Sequence, residues 1–286
     1  MQGRIGGLDP LDARQFIVAV RRLADSLNYG TDHSRFLGAG VEYVQSRAYQ
    51  FGDPVRSIDW RITARTARYH IKEYDTPKSI PCYLLIDTSA SMVIGAAKRT
   101  KYQIALQLAG GIALACLDRV SPVGVLGVGE RDLRVQPSLS RPRVYQWLLE
   151  LRQFRYDEST SLGRRVRELA PTLGSRALVV VLSDLHDPEA VDRIALMAQM
   201  HDCVVIQLRD PAEEPQRGVG FVRAREAETG REFVASGNRA RVDVDAVTTD
   251  LRRANVDHLV VHTDRPFVHR VRHFLASRGV LSRGAR

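Results

Sequence analysis

From residue 80 onward, short apolar runs alternate with longer segments whose apolar positions recur at helical spacing. Runs such as 82–86 and 177–182 are apolar at nearly every position, which is typical of strands buried on both faces. The segments between them are long enough to be crossover helices, so the pattern predicts an α/β fold with a doubly wound, mostly parallel sheet and helices on both faces. The predicted strands are 82–87, 123–128, 131–136, 177–182, 203–208 and 258–262, and the predicted helices are 98–118, 141–152, 160–171, 188–200, 240–254 and 267–278.

The first 80 residues lack this alternation. Asp9 followed by Pro10 is a typical helix start, with a capping side chain before a first-turn proline. The change of pattern predicts two parts, an N-terminal region over 1–80 and a main domain over 81–286. Within the first part we expect a helix over 8–28, a short strand within 41–51, a helical stretch within 53–65 and a strand over 69–74.

A second departure from the alternation lies late in the main domain. Residues 221–225 and 231–234 flank the polar run Glu228-Thr229-Gly230, which is typical of a hairpin turn. The sequence therefore predicts a β-hairpin insertion near 219–236.

Three oxygen-bearing side chains follow the first buried strand of the main domain. Asp87, Ser89 and Ser91 lie in the loop that leaves the carboxyl end of this strand. Ligands of open α/β sheets bind at that end of the strands. A donor set made only of oxygen favours Mg²⁺ or Mn²⁺ over a softer metal. Taken alone, the run is equally compatible with a polar loop whose serines cap a helix.

Two further segments place oxygen donors where they could join the first. The apolar run 178–182 ends in Ser183 and Asp184, so a second carboxylate follows a second buried strand. Thr160 precedes a predicted helix, and taken alone it is more simply a helix cap. In a doubly wound sheet, however, these loops can meet at one edge.

Composition excludes several classes of protein. The chain has 286 residues with 44% hydrophobic and 26% charged residues, an ordinary globular composition. No apolar run reaches the roughly 18 residues of a membrane span, and the first residues lack a signal-like stretch, so we expect a cytoplasmic protein without membrane contact. The formal net charge of +9 favours scattered solvated arginines, or a basic surface that attracts an acidic partner.

The five oxygen-bearing residues together resemble a known pattern. Their order and spacing are similar to the metal-ion-dependent adhesion site (MIDAS) of the von Willebrand factor A fold. The resemblance implies Mg²⁺ bound through serine hydroxyls, with a threonine as a direct or water-bridged ligand and two carboxylates that balance charge. A coordination position left open would accept a carboxylate from a partner. The implied site consists of Asp87, Ser89, Ser91, Thr160 and Asp184.

The upstream segment contains the motifs Gly38-x-Gly40-x-Glu42-Tyr43, Arg47-x-Tyr49, Gly52-Asp53 and Arg56-Ser57-Ile58-Asp59-Trp60-Arg61-Ile62-Thr63-Ala64-Arg65. These motifs resemble the signature of the family of domain of unknown function 58 (DUF58). Together the two resemblances cover roughly residues 30–210. They imply a bacterial or archaeal partner of a MoxR-type AAA+ ATPase, in systems that assist maturation of client proteins. Many relatives carry membrane segments, and this chain resembles the short subgroup without them.

Charged residues of the upstream motif allow two interpretations. Glu42, Asp59, Arg61 and Arg65 could form a buried ion-pair network that holds this block to the sheet, which we favour, or a partner-docking surface. His186, close to Asp184, is expected to be an exposed loop histidine, with a contact to the site as the alternative.

The expected function is therefore that of a non-enzymatic, Mg²⁺-dependent protein-interaction module, an adaptor of a MoxR-type ATPase. One alternative is a Mg²⁺-dependent phosphoryl-transfer enzyme similar to haloacid-dehalogenase-type phosphatases. Such enzymes need a second aspartate two residues after the nucleophile, where this chain has Ser89, and no lysine stands out for their remaining motif. The other alternative is nucleic-acid binding driven by charge, although no recognisable binding module accompanies the arginines.

Overall fold

The computed structural model contains one large sheet and three small two-stranded sheets among its described residues. It describes residues 2–4, 10–28, 42–75, 80–131, 133–155, 157–213, 221–225, 232–236 and 243–277. The strands are β1 (Gln2–Arg4), β2 (Glu42–Ala48), β3 (His70–Asp75), β4 (Cys82–Ile86), β5 (Val123–Gly127), β6 (Arg134–Ser138), β7 (Gln153–Arg155), β8 (Leu178–Ser183), β9 (Asp202–Arg209), β10 (Phe221–Arg225), β11 (Glu232–Ser236) and β12 (Asp257–His262).

The large sheet has the order β12-β9-β8-β4-β5-β6. All neighbours are parallel except β5 and β6, which are antiparallel. The chain enters at the central strand β4, adds β5 and β6 on one side, and then crosses to β8 on the other side. The strand order thus reverses between β4 and β8, which is the topological switch point where ligands of such sheets bind. Ile86 pairs with Gly127 on one side and Leu182 on the other, so these three strands end level.

Helices cover both faces of the large sheet, as the sequence predicts. Alternate residues of β4 enter different cores, since Leu84 and Ile86 pack among α1, α4, α5 and α9 whereas Leu85 packs among α6, α7 and α8. The helices are α1 (Pro10–Asn28), α2 (Trp60–Thr66), α3 (Ala90–Val93), α4 (Lys101–Leu117), α5 (Arg141–Leu151), α6 (Leu162–Leu169), α7 (Ala190–Met197), α8 (Val244–Arg253) and α9 (Val268–Ser277).

The central helix α4 is buried on nearly all sides because α1 packs on it. Gly110 and Gly111 make this close approach possible. A Cβ at Gly110 would lie 2.7 Å from Val20 Cγ1, and a Cβ at Gly111 would lie 2.6 Å from Leu23 Cδ2. Two adjacent glycines cost helix propensity, so their presence inside α4 reflects the tight contact with α1.

The expected division into 1–80 and 81–286 places α1 in the wrong part. Among the described residues, 2–4, 10–28 and 80–277 form the larger compact unit, and 42–75 form the smaller one. Val20 and Leu27 of α1 are buried in the main core. Amphipathic periodicity predicted this helix correctly, but periodicity does not reveal which core covers the apolar face.

The smaller unit consists of the β2–β3 hairpin with α2 between its strands. Asp59 caps α2, since its side chain accepts hydrogen bonds from the amides of Arg61 and Ile62 and from the Ser46 hydroxyl. Arg61 and Arg65 are exposed. The favoured interpretation of a buried ion-pair network among these charges is therefore wrong for the arginines, while Asp59 is buried as a helix cap. The Glu42 side chain, like Gly38 and Gly40, lies outside the described residues.

Most predicted elements are confirmed, including the antiparallel pair β10–β11, whose predicted turn lies outside the described residues. The edge strand β6 begins three residues later than the predicted 131–136. The pattern missed three short elements, α3, β1 and β7. The three-residue strands β1 and β7 pair with each other across a wide sequence separation, which no local pattern reveals. None of the helices in the described ranges combines the length and apolar character that a membrane crossing requires.

Replacing Gly111 by Val should lower the free energy of unfolding by about 2–3 kcal/mol, because the new side chain overlaps Leu23. The matched control is Gly174→Val, because a Cβ at Gly174 would meet nothing within 4 Å. Its free energy of unfolding, measured by urea denaturation, should stay within about 0.5 kcal/mol of the wild-type value. Combining Gly111→Val with Leu23→Ala should cost less than the two separate effects added together. Strict additivity would show that α1 does not pack against Gly111.

Candidate metal centre

Two buried aspartates follow the two strands that flank the switch point. Asp87 comes directly after β4 and Asp184 directly after β8, and both are fully buried. The amide of Asp87 donates to the carbonyl oxygen of Leu182 at 2.9 Å, which continues the parallel pairing of β4 with β8 by one residue. The topology therefore brings two carboxylates from distant parts of the chain to one sheet edge.

The Asp87 carboxylate organises the loops around it through hydrogen bonds. Its Oδ1 accepts from the Ser89 amide at 3.0 Å, which turns the chain toward α3. Its Oδ2 accepts from the Ser183 hydroxyl at 2.5 Å and from the Thr160 hydroxyl at 3.4 Å. One carboxylate thus connects the first loop with β8 and with the loop before α6.

Ser89 and Ser91 place their hydroxyls side by side. The two Oγ atoms are 3.0 Å apart, and both residues are buried at the start of the short helix α3. The Ser91 hydroxyl also lies close enough to Asp184 to favour its ionised form. The structure therefore brings together all five residues that the sequence singled out, Asp87, Ser89, Ser91, Thr160 and Asp184.

The two carboxylates have opposite pKa shifts. Burial, together with the neighbouring Asp184, raises the pKa of Asp87 to about 7. Burial acts in the same direction on Asp184, but the Lys101 ammonium and His186 outweigh it and hold the pKa of Asp184 below its usual value. Like-charged carboxylates at close range oppose each other's ionisation, so this pair gains from positive charge placed between them.

Lys101 is the functional residue that sequence analysis missed. Its side chain is fully buried, and its ammonium donates to Asp184 Oδ2 at 2.7 Å and forms an ion pair with Glu213. A lysine in the first turn of a helix is disfavoured by the helix dipole, so these carboxylates account for its place in α4. Sequence analysis singled out no lysine, and the structure places this one against Asp184. The available signal was a single cation at the start of an otherwise apolar helix.

His186 is also closer to the site than expected. It was predicted to be exposed, but its side chain is only 5% exposed and Nδ1 lies 3.3 Å from Asp184 Oδ2. Asp184, His186 and Glu213 bring one potential ligand atom each within 4.8 Å of one another. The Lys101 ammonium contacts both carboxylates of this group, however, and already supplies positive charge there.

The buried Glu158 joins the Thr160 loop to the first loop. Glu158 is fully buried and accepts from the Thr88 hydroxyl at 2.6 Å and from Arg131 Nε at 2.7 Å. The backbone carbonyl of Glu158 accepts from the Ala90 amide at 2.7 Å. A side chain at Gly129 would collide with Thr88 and Glu158, so a glycine is required for this contact. Glu158 therefore fixes the position of Thr160 relative to Asp87.

The donor set fits a small divalent cation. Adjacent ligands of octahedral Mg²⁺ are about 3.0 Å apart when each Mg–O distance is about 2.1 Å. The 3.0 Å separation of the Ser89 and Ser91 hydroxyls matches such a pair of positions. The remaining groups of the site, Thr160 and two carboxylates, are oxygen donors as well, as hard cations require.

Replacing Glu158 by Ala should lower the free energy of unfolding by about 2–4 kcal/mol, because it leaves Arg131 and Thr88 without their buried partner. The matched control is Glu168→Ala, which removes a glutamate from exposed pairs with Arg164 and Arg165. That change should cost less than about 1 kcal/mol. Equal effects of both variants in urea denaturation would contradict a bracing role for Glu158.

Comparison with solved structures adds nothing to the description of the fold. The Deinococcus radiodurans RO (RSR) protein matches with a TM-score of 0.35 and 16% sequence identity. The match covers 97% of this chain and 51% of that chain, so the chain spans about half the length of that protein. A likeness at this level carries no argument.

Sequence relatives span nearly the whole chain. An uncharacterized protein of Mycobacterium bovis and uncharacterized protein Rv1480 of Mycobacterium tuberculosis are each 27% identical over 284 residues. Each alignment covers 93% of this chain and 88% of the relative. The model of the family described as "Protein of unknown function DUF58" matches residues 45–254, well over half of the chain. This protein therefore belongs to the DUF58 family.

Proposed function

We propose that this chain is a Mg²⁺-dependent protein-interaction module of the von Willebrand factor A type, without enzymatic activity. Ser89, Ser91 and Thr160 would hold the cation, and Asp87 and Asp184 would balance its charge. Mn²⁺ satisfies the same donor set. The bound cation supplies a coordination position for a carboxylate of a partner protein.

One observation supports this proposal above the others. Five oxygen-bearing residues from three separate loops meet at the switch point of the sheet, with Asp87 joined to Ser89, Thr160 and β8 by hydrogen bonds. Polar side chains of this kind are costly to bury at one point unless they are satisfied. Among the described residues, the buried Asp184 Oδ1 has no hydrogen-bond partner, and a divalent cation would satisfy it. The sheet order, with its single antiparallel edge strand β6, is compatible with the von Willebrand factor A fold.

The arrangement favours binding over turnover. Asp87 is fully buried and accepts three hydrogen bonds, so its oxygens are poorly placed to attack a substrate. Two residues later, where a phosphatase would carry its general acid, stands Ser89. A hydroxyl whose pKa is far above neutral is a poor proton donor.

The proposed partner is a MoxR-type AAA+ ATPase, with a client protein as a further source of the carboxylate. The family resemblance of the upstream segment motivates this choice. The chain has no phosphate-binding run of the type Gly-x-x-x-x-Gly-Lys-Ser/Thr, so ATP hydrolysis in such a system falls to the partner.

Lys101 gives some support to the alternative phosphoryl-transfer function. Phosphatases of the haloacid-dehalogenase type pair a lysine with their carboxylates, and Lys101 contacts Asp184 in the core of the site. It contacts Asp184 and Glu213 rather than Asp87, however, which weakens the parallel. Hydrolysis of an aryl phosphate in Mg²⁺, lost in Asp87→Asn, would replace the adhesion proposal with this one.

Isothermal titration calorimetry should detect Mg²⁺ binding to the wild type, weakened at least about tenfold in Ser89→Ala because one oxygen donor is lost. Ser159→Ala is the matched control, since its hydroxyl donates to Glu130 and not to the five residues of the site. We expect Ser159→Ala to bind Mg²⁺ as the wild type does. Absence of binding by the wild type, or equal binding by both serine variants, contradicts the proposed metal site.

Binding to a purified MoxR-type ATPase should require the same hydroxyl. We expect the wild type and Ser159→Ala to bind the immobilised ATPase equally, and Ser89→Ala to bind at least about tenfold more weakly. Point variants are preferable to a chelator here, because the ATPase itself needs Mg²⁺ for its nucleotide. Binding that is unchanged in Ser89→Ala would show that the metal does not bridge the two proteins.

A further inference from the structure

A group of exposed residues lies beside the candidate metal centre, on the segment that follows α3. We call Ile94, Lys98, Arg99 and Arg270 the basic shelf. Ile94 is 52% exposed although it is a large aliphatic residue, and the three cations are exposed as well. Ile94 is only three residues from Ser91, so the shelf begins within about 11 Å of the proposed metal ligands.

The segment that carries the shelf is fastened to the sheet edge. Asp210, buried directly after β9, accepts from the Ala96 amide at 2.8 Å and the Ala97 amide at 3.4 Å. Asp210 also accepts from the Thr263 hydroxyl at 2.8 Å, which joins it to the end of β12. A Cβ at Gly95 would collide with this carboxylate. The shelf therefore has a fixed place along the edge of the sheet.

A continuous series of contacts connects the shelf to the metal centre. The Asp210 amide donates to Glu213 Oε2 at 3.4 Å. Glu213 forms an ion pair with Lys101, and Lys101 binds Asp184. Asp210, Lys101 and Asp184 are buried and Glu213 is mostly buried, so these contacts connect the segment that carries the shelf to Asp184 through the interior of the protein.

Arg99, one of the three cations of the shelf, is held in place by an aromatic ring. The Arg99 guanidinium lies 5.8 Å from the centre of the buried Phe267 ring, which orients it across the edge of the sheet. Arg270 lies three residues beyond Phe267, where the two are neighbours on the helix surface. Within the described ranges, no carboxylate comes within ion-pair distance of Lys98, Arg99 or Arg270.

The charges at the proposed metal site indicate what the exposed cations of the shelf would contribute to partner binding. Asp87 and Asp184 would balance a divalent cation, and Lys101 balances Glu213. A partner carboxylate that reaches the metal would then add negative charge without compensation. The shelf supplies positive charge for it, and for further carboxylates next to it in the partner.

We infer that the basic shelf recognises an acidic protein segment whose first carboxylate binds the metal and whose neighbouring carboxylates and aliphatic side chain contact Lys98, Arg99, Arg270 and Ile94. This inference rests on the proposed function, and it names the chemistry of the partner.

A nucleic acid fits the shelf less well. Proteins that bind single strands combine cations with exposed aromatic rings on which bases stack. The aromatic ring next to the shelf, that of Phe267, is buried beneath Arg99. The large exposed residue closest in sequence to the proposed metal ligands is the aliphatic Ile94. The exposed aromatic side chains in the described part of the chain, Phe51, Trp60 and Tyr69, belong to the smaller unit instead.

The test measures fluorescence anisotropy of a labelled peptide, Leu-Glu-Asp-Glu-Leu-Glu, with the full chain in Mg²⁺. We expect the wild type to bind it at least about tenfold more tightly than the amide analogue Leu-Gln-Asn-Gln-Leu-Gln. Charge reversal in Lys98→Glu/Arg99→Glu should weaken binding by about tenfold or more at low salt and less at high salt, since exposed charges are screened. The calorimetric affinity of that variant for Mg²⁺ should stay within about twofold of the wild type.

The matched control is Arg252→Glu/Arg253→Glu, which changes the net charge equally. These arginines end α8, just before β12 begins, and so lie at the opposite edge of the sheet. We expect this control to bind the peptide as the wild type does. Both double variants should remain folded because all four positions are exposed, and Arg252→Glu/Arg253→Glu should unfold at a slightly lower temperature because it removes two cations from the last turn of α8 and the ion pair of Arg253 with Asp250.

The outcomes separate the inference from the proposed function. Equal loss in both double variants shows a general charge effect and overturns the inference, as does wild-type binding that ignores the carboxylates of the peptide. Binding of a labelled single-stranded RNA that is lost only in Lys98→Glu/Arg99→Glu, with the peptide unaffected, assigns the shelf to nucleic acid. If Ser89→Ala loses Mg²⁺ binding while the peptide experiments give these negative results, the proposed metal site stands. Only the inference about the basic shelf is then refuted.

Discussion

Two buried carboxylates at the switch point are the constraint on which the rest of the site depends. Asp87 and Asp184 follow adjacent parallel strands, so the sheet brings like charges together where water is excluded. The structure satisfies each by a different means. Asp184 receives the buried ammonium of Lys101, whereas Asp87 receives hydroxyl and amide donors and has a raised pKa. Because of this asymmetry, an added cation would stabilise the ionised form of Asp87, beside Ser89 and Ser91, more than that of Asp184.

Two further buried carboxylates, Glu158 and Asp210, hold the loops at this edge of the sheet in place. Glu158 ties the Thr160 loop to Thr88 and Arg131 on one side. Asp210 ties the segment after α3 to the ends of β9 and β12 on the other. Glu158 and Asp210 each accept several hydrogen bonds from neighbouring loops, and these bonds give the loops a defined position. Such preorganisation favours the proposed binding of a partner, because loops that already have a defined position lose little conformational entropy on binding.

Much of the fold follows from local patterns. The runs at β4 and β8 are apolar at nearly every position because both of their faces are covered, and this makes parallel strands easy to identify. The same runs located Asp87 and Asp184. Short elements such as β7 were not predicted, because three residues are too few to show a periodicity. The strand β7 depends on pairing with β1, which lies far away at the start of the sequence. Lys101, His186 and Glu158 escaped for a related reason, because their burial results from contacts with residues far away in sequence.

The sequence by itself determined most of the longer strands and helices and the five oxygen donors in the loops that follow or precede them, since these depend on short-range periodicity and on residue type. Only the tertiary structure decided that α1 belongs to the main core, that Arg61 and Arg65 are exposed, and that Lys101 lies against Asp184. Each of these facts concerns a charge or an apolar face whose partner is distant in the chain. Burial and pairing are properties of the packed molecule, so they become definite only when the sheet brings its loops together.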